Sequence, residues 1–263
     1  MLLRLAPLGL LACLSPPSDP LVATTLRELE DEYEISIVAA RVAHTVASFG
    51  SDLRATDPSP AALSGYVPIL RREVSKYPED AFRCADVDTL VLASELRVPR
   101  AWNQRSRRNA RGDATRGAVP AFEDRALIYD VDVAAAAYVN RYYERCFHHE
   151  FFHMLDRADD GEVYSDPAWS ALNPDGFEYG SGGASTSRFV NYFDPIATQE
   201  GFVTAYGTMG VEEDKAEIFS LMYTFPELLQ RRAASDSVIA AKVARMKQIL
   251  GRTCPSFVSD GAR

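Results

Sequence analysis

The alternation of apolar and polar positions divides the chain into a few readable segments. Through "TTLRELEDEYEISIVAARVAHTVASFG" the spacing predicts a helix over residues 24–49, with a break near Ile35 and Gly50 placed to end it. "SPAALSGYVPILRREVSKYP" predicts a second helix over about 60–75, interrupted by Pro68. "VDTLVLASEL", residues 87–96, is brief and rich in Val and Leu, which reads as a strand. Residues 98–119 look irregular, and "RALIYDV", 125–131, reads as a second strand.

A longer run follows. Residues 134–158, "AAAAYVNRYYERCFHHEFFHMLDRA", contain no Pro or Gly and come after Asp132, a good N-cap. Tyr138, Tyr142, Cys146 and Phe151 cannot share one stripe, so this helix is expected to be buried on more than one side. From 159 to 203 the periodicity dissolves into Gly, Pro, Ser, Asn and aromatics. So long a loop calls for a function, and its aromatics argue for an ordered cover over a cleft. Trp169, Phe177 and Tyr179 are then candidate substrate contacts, each with core packing as the alternative. Helices resume at 211–224 and about 227–250. No repeat and no linker is evident. The expectation is an α+β chain with a small mixed β-sheet, an active-site helix and a mainly helical C-terminal part. Residues 21–263 would form a single domain: a helical part at 21–80, sheet and long helix at 81–158, a cleft loop at 159–210, and helices at 211–252.

Composition narrows the function. The chain has 263 residues, 47% of them hydrophobic and 25% charged, with a net charge of −9. That balance speaks against nucleic acid as a partner, because a phosphate-binding face needs clustered Lys and Arg. The one basic run, "RSRRNARGDATR" at 105–116, reads as a solvated loop, with a local anion or membrane contact as the alternative. The N-terminus, "MLLRLAPLGLLACLSPPSDP", resembles a minimal secretory signal peptide over residues 1–20. "LLAC" also loosely matches a lipobox with Cys13 as lipid carrier. The expectation is a secreted or envelope-associated, monomeric protein with no transmembrane segment, or a cytoplasmic one if this is not a signal. In an exported chain Cys84 and Cys254 can pair, while Cys146, on the long helix, reads as a buried thiol.

Three of the four histidines fall in "HHEFFHMLD", residues 148–156. His149, Glu150 and His153 form HExxH on a predicted helix. Positions i and i+4 share a face, so two imidazoles one turn apart can hold one zinc ion at about 2.0–2.1 Å. Glu150 lies about 100° round from His149, placed to take a proton from a metal-bound water. His148 pairs poorly with His153 and reads as a packing or supporting residue, and His44 as an ordinary helical one. Uncompensated burial of these groups in so apolar a setting would be costly, which favours a metal over chance.

A catalytic zinc usually takes three protein ligands. No histidine follows His153, so an acid is expected, from among Glu162, Asp175, Glu178, Glu200, Glu212, Glu213, Asp214 and Glu217, unless His44 returns from upstream. "VEEDKAEIF" is the strongest source. Glu213 and Glu217 are i and i+4, so one can ligate while the other accepts the outer N–H of a ligating histidine. Glu212 and Asp214 would then face solvent or the helix N-terminus. Tyr206, in the Gly-flanked "FVTAYGTMG", could donate to an oxyanion or merely pack.

"HHEFFHMLD" followed by "GFVTAYGTMGVEEDKAE" resembles the gluzincin metallopeptidases, in particular the branch with a Glu-x-x-Ala-Glu helix. It is similar to bacterial zinc-binding lipoprotein peptidases and, more distantly, to the catalytic domain of anthrax lethal factor. The resemblance covers about 145–225 and implies a zincin-like fold with one catalytic Zn2+. It implies His149, His153 and Glu213 as ligands, Glu150 as general base, Glu217 behind a ligating histidine, and Tyr206 on the tetrahedral intermediate. Phe151 and Phe152 depart from the glycine that lethal factor-like members carry inside the motif. "NPDGFEYG" also resembles, faintly, the aspzincin pattern, with Asp175 as rival ligand. The implied activity is zinc-dependent hydrolysis of peptide bonds in a protein or peptide substrate, of the metalloendopeptidase class, with "RALIYDV" as the edge strand beside the substrate. A hydrolase of a non-peptide amide or ester, and a silent zinc-binding domain, are the alternatives.

Overall fold

The computed structural model describes residues 19–40, 42–46, 51–99, 113–115, 117–132, 141–180, 182 and 199–259. Around one long strand, β4 (Thr89–Pro99), the described strands assemble into a seven-stranded mixed sheet. The first half of β4 runs parallel to β1 (Ser36–Ala39) on one side and to β7 (Ala126–Asp130) on the other. Its second half pairs antiparallel with β3 (Ser51–Thr56) and β5 (Asp113–Thr115). β2 (Val42–Val46) joins β3, and β6 (Ala118–Ala121) joins β7, both antiparallel. The two halves of β4 meet at Glu95, whose backbone is left-handed at φ 55°. Asp130 secures that irregularity by accepting the Leu96 N–H at 3.0 Å.

Alternation along the strands sorts their side chains. Leu90, Leu92, Leu127 and Tyr129 enter the main core, while Val91, Ala93, Ala126 and Ile128 face the other way into a second cluster with Leu53, Leu96, Val119 and Ala121. Both faces are buried, which is why "TLVL" and "ALIY" read as apolar runs rather than alternating ones. Against the main-core face pack α1 (Pro20–Tyr33), α2 (Pro60–Val74), the short α3 (Ala81–Cys84) and α4 (Tyr142–Asp160). The C-terminal part is helical: α5 (Pro167–Ser170), α6 (Val211–Thr224), α7 (Pro226–Ser235), α8 (Ser237–Thr253) and α9 (Ser256–Ser259). α4 lies between the sheet side and α6, buried on several sides as its residue pattern requires.

Several expectations need correction. The helix expected over 24–49 stops at Tyr33, where Glu34 turns left-handed at φ 54°. Ser36–Ala39, with the β-branched Ile37 and Val38, then joins the sheet as β1, because pairing with β4 outweighs a weak helical pattern. His44 is therefore on strand β2, not a helix, and the supposedly helical part 21–80 contains three strands. Gly50 lies outside the described residues. The stretch taken as irregular, 98–119, contributes β5 and β6, with 100–112 and 116 outside the described residues. α4 starts at Tyr142 rather than near 134, and Asp132 does not cap it; its carbonyl accepts from the Tyr143 hydroxyl instead. Residues 133–140 lie outside the described residues, as do residues 1–18 with Cys13. The last helix is two, split at Asp236, whose carboxylate caps α8 by accepting from Val238 and Ile239 at 3.0 Å. Within the expected cleft loop, α5 is ordered helix and 183–198 lie outside the described residues. Cys84 and Cys254 are joined as a disulfide across 170 residues, and Cys146 is a buried thiol. Among the described residues no helix is long and apolar enough to cross a membrane.

His148 anchors α4 to α2. Its Nε2 meets Glu73 at 2.9 Å and its Nδ1 takes the Tyr77 hydroxyl proton at 2.6 Å, so a neutral ring satisfies both partners. The ring stacks on Tyr223 with centroids 4.9 Å apart. Burial pushes His148 down from 6.5 to about 4, against the opposing pull of Glu73. Glu73 itself is drawn down to about 2, because contacts with His148, Lys76 and Arg72 outweigh burial. Between about pH 6.5 and 4 the unfolded chain takes up a proton that folded His148 refuses, so stability is lost as pH falls through that window. Glu73 adds a loss of the same sign below about pH 4.5. Urea titration of metal-free protein is expected to show this decline, with His148 contributing on the order of 3 kcal/mol at most. His148→Gln should decline less steeply between pH 7 and 4; equal slopes in the two proteins would refute the assignment.

Candidate metal centre

α4 and α6 pack side by side, and the contact is made of charge. One turn apart on α4, His149 and His153 project toward α6 with ring centroids 4.8 Å apart. From the first turn of α6, Glu213 reaches between them. Its Oε2 stands 2.8 Å from His149 Nε2 and 3.7 Å from His153 Nε2. All three residues are buried, and their candidate ligand atoms lie within 4.8 Å of one another. A tetrahedral zinc with ligands at about 2.0–2.1 Å would set those atoms roughly 3.4 Å apart. Two imidazole nitrogens and one carboxylate oxygen are also a donor set that zinc accepts. The residues present therefore fit a metal ion.

The surroundings prepare these groups. His149 Nδ1 meets Glu217 Oε1 at 2.9 Å, leaving Nε2 for the shared centre. Arg145, one turn before His149 and almost fully buried, meets the other Glu217 oxygen at 2.5 Å. Burial raises the Glu217 pKa, but the Arg145 charge and the His149 hydrogen bond overcome it and hold the group ionised. Glu213 is likewise lowered against burial, by both histidines. Burial lowers His149, yet hydrogen bonds to Glu213 and Glu217 carry it up to about 10. The proton it keeps must leave before Nε2 can ligate, so metal and proton compete for the same nitrogen.

Glu150 follows His149 on α4 and is half-buried. Tyr206 lies on a 3-10 turn (Tyr206–Met209) leading into α6, its ring centroid 5.6 Å from that of His149. The structure thus gathers His149, His153, Tyr206, Glu213 and Glu217, with Glu150 next to His149 in the chain. It separates the rival acids: Glu162, Asp175, Glu178 and Glu200 are exposed.

Other expectations are overturned here. Asp214 does not face solvent; it is fully buried, 2.7 Å from the equally buried Lys242. Trp169 Nε1 and the Tyr179 hydroxyl donate to the same carboxylate at 2.8 and 2.7 Å. Trp169 is therefore core, not a substrate contact. Phe177 and Tyr179 pack on each other and on Phe202. β7 is not an edge strand, because β6 pairs along its outer side. Arg145 has no role in the sequence reading, although a basic residue four before the first histidine of HExxH is the signal that could have found it. Lys242 had no such signal, since its partner Asp214 is on another helix.

A family model described as "Putative zinc-binding metallo-peptidase" matches residues 102–248. The chain belongs to that family. The matched span holds all of the converging residues. A crystal structure of a putative zinc-binding metallo-peptidase from Bacteroides caccae resembles this family member over 93% of this chain and 88% of that one. Identity is 16% and the TM-score 0.43, at which the likeness carries no argument. No curated protein matches the chain significantly.

Glu213→Ala is expected to weaken zinc binding by more than about 100-fold, beyond the loss typical of an outer partner. Asp175→Ala should leave it unchanged. Chelator competition checks both, and loss with Asp175→Ala alone would transfer the ligand role.

Proposed function

We propose that the protein is a zinc-dependent metalloendopeptidase of the gluzincin type, with one catalytic ion held by His149, His153 and Glu213. The observation that carries this reading is the convergence of those three buried side chains beside a half-buried Glu150. A purely structural cluster has no need for a carboxylate at that position. When bound, zinc polarises the scissile carbonyl and acidifies the attacking water. Glu150 accepts the water's proton as its oxygen bonds to the carbonyl carbon, then delivers a proton to the amide nitrogen as the C–N bond breaks. Tyr206 donates its hydroxyl to the oxyanion that develops on the former carbonyl oxygen. Glu217 holds the His149 ring by its Nδ1–H, and Arg145 holds Glu217. Peptide substrates suit the family to which the chain belongs. Export to an oxidising compartment, secreted or attached to the envelope through Cys13, is part of the proposal; the Cys84–Cys254 disulfide and the signal-like N-terminus support it.

Zinc analysis with a peptide-library cleavage assay tests this reading. Glu150→Gln should keep stoichiometric zinc and lose about 10²–10⁴-fold in turnover. Retained cleavage would remove Glu150 as the base, and an inactive wild type that binds zinc would favour a silent binding domain.

Tyr206→Phe is expected to lower kcat by about 10²-fold with little change in KM. An unchanged kcat would leave Tyr206 as packing only.

A further inference from the structure

The outer nitrogens of the two histidines are served differently. His149 Nδ1 has Glu217, which has Arg145. His153 Nδ1 is buried and has no hydrogen-bond partner among the described residues, on a side chain only 8% exposed. Three residues further along α4 lies Asp156, 3% exposed, and its Oδ2 is also without a hydrogen bond. A buried ring nitrogen without a partner and a buried carboxylate oxygen without a hydrogen bond thus stand at i and i+3 on one helical face. Leaving the His153 nitrogen unsatisfied would cost about 1–3 kcal/mol.

Asp156 has a cation of its own. Lys215 Nζ donates to Oδ1 at 2.8 Å and sits 2.6 Å from Oδ2, off the line of a hydrogen bond. Lys215 is fully buried and lies on α6, two residues after Glu213. The motif around His149 is repeated: imidazole, carboxylate, buried cation, with α4 and α6 both contributing.

We propose that Asp156 is the positioning carboxylate for His153, accepting its Nδ1–H across one bridging water, with Lys215 tying that carboxylate to α6. The ring is then oriented with Nε2 toward Glu213, and its basicity is raised. This inference rests on the reading that His153 ligates zinc. The competing account is a plain ion pair that ties α4 to α6 and leaves the imidazole alone.

Zinc affinity of the purified full chain, measured by competition with a chromophoric chelator, separates the two, with melting of the metal-free protein as the folding control. Wild type that binds no zinc would defeat the metal reading itself. With wild type binding, Asp156→Asn is expected to loosen zinc by about 10–100-fold. Lys215→Met breaks the same ion pair but keeps the carboxylate, so its affinity should stay within about threefold of wild type. The double variant Asp156→Leu/Lys215→Met replaces the pair by apolar groups and keeps the test open if Asp156→Asn fails to fold. It too should loosen zinc at least tenfold. Wild-type affinity in the folded Asp156 variants, or equal losses in Asp156→Asn and Lys215→Met, would overturn the proposal.

Discussion

The contact between α4 and α6 is a zipper of buried charge, and the rest of the structure is arranged to make it tolerable. His149, His153, Arg145 and Asp156 come from one helix; Glu213, Lys215 and Glu217 come from the other. Each is nearly or fully buried. Isolated, any of these charges would carry a desolvation penalty of several kcal/mol, and only mutual pairing offsets it. The pairing is strict in register. A shift of one residue along α6 would swing Glu213 and Glu217 about 100° round the helix axis and leave the imidazoles without either.

A second node holds α6 in place from behind. The Asp214 carboxylate collects Lys242 from α8, Trp169 from α5 and Tyr179 from the following loop. Lys242 also donates to the Gly201 carbonyl at 2.7 Å and lies 3.8 Å from the centroid of the Phe202 ring. Asp236, at the α7–α8 junction, accepts the Gly201 N–H at 2.8 Å. The segment that leads to Tyr206 is thereby gripped on both sides. Burial raises Asp214 and lowers Lys242, so the pair is held together against its own desolvation. Neighbouring residues Glu213 and Asp214, about 100° apart round the axis, thus serve different faces of one helix, the first turned to the histidines and the second to the scaffold.

The sheet's contribution is a rigid floor. β4 is shared by strands on both sides along its whole length, and the main-core face of β4 and β7 supports α4 through Leu90, Leu92, Leu127 and Tyr129. Tyr129 also donates its hydroxyl to the Phe147 carbonyl at 3.4 Å. On the far side of α4, His148 ties the helix to Glu73 and Tyr77. The first histidine of the HHExxH run is thus used for anchoring, one residue away from the second, which faces α6.

Local pattern alone determined the long helix with HExxH on one face, the acidic helix with Glu213 and Glu217 one turn apart, and strands β4 and β7. In each, residue spacing and secondary-structure period coincide, so nothing distant is needed to read them. The ordering of partners was decided only by the tertiary structure. Ser36–Ala39 became a strand because β4 lay beside it. β7 became interior because β6 covered its edge. Asp214 turned inward because Lys242, 28 positions later, supplied a charge that no local pattern announces. Arg145, Asp156 and Lys215 acquire their meaning in the same way. A buried charge is defined by its partner, and partners drawn from different helices meet only once the chain has folded.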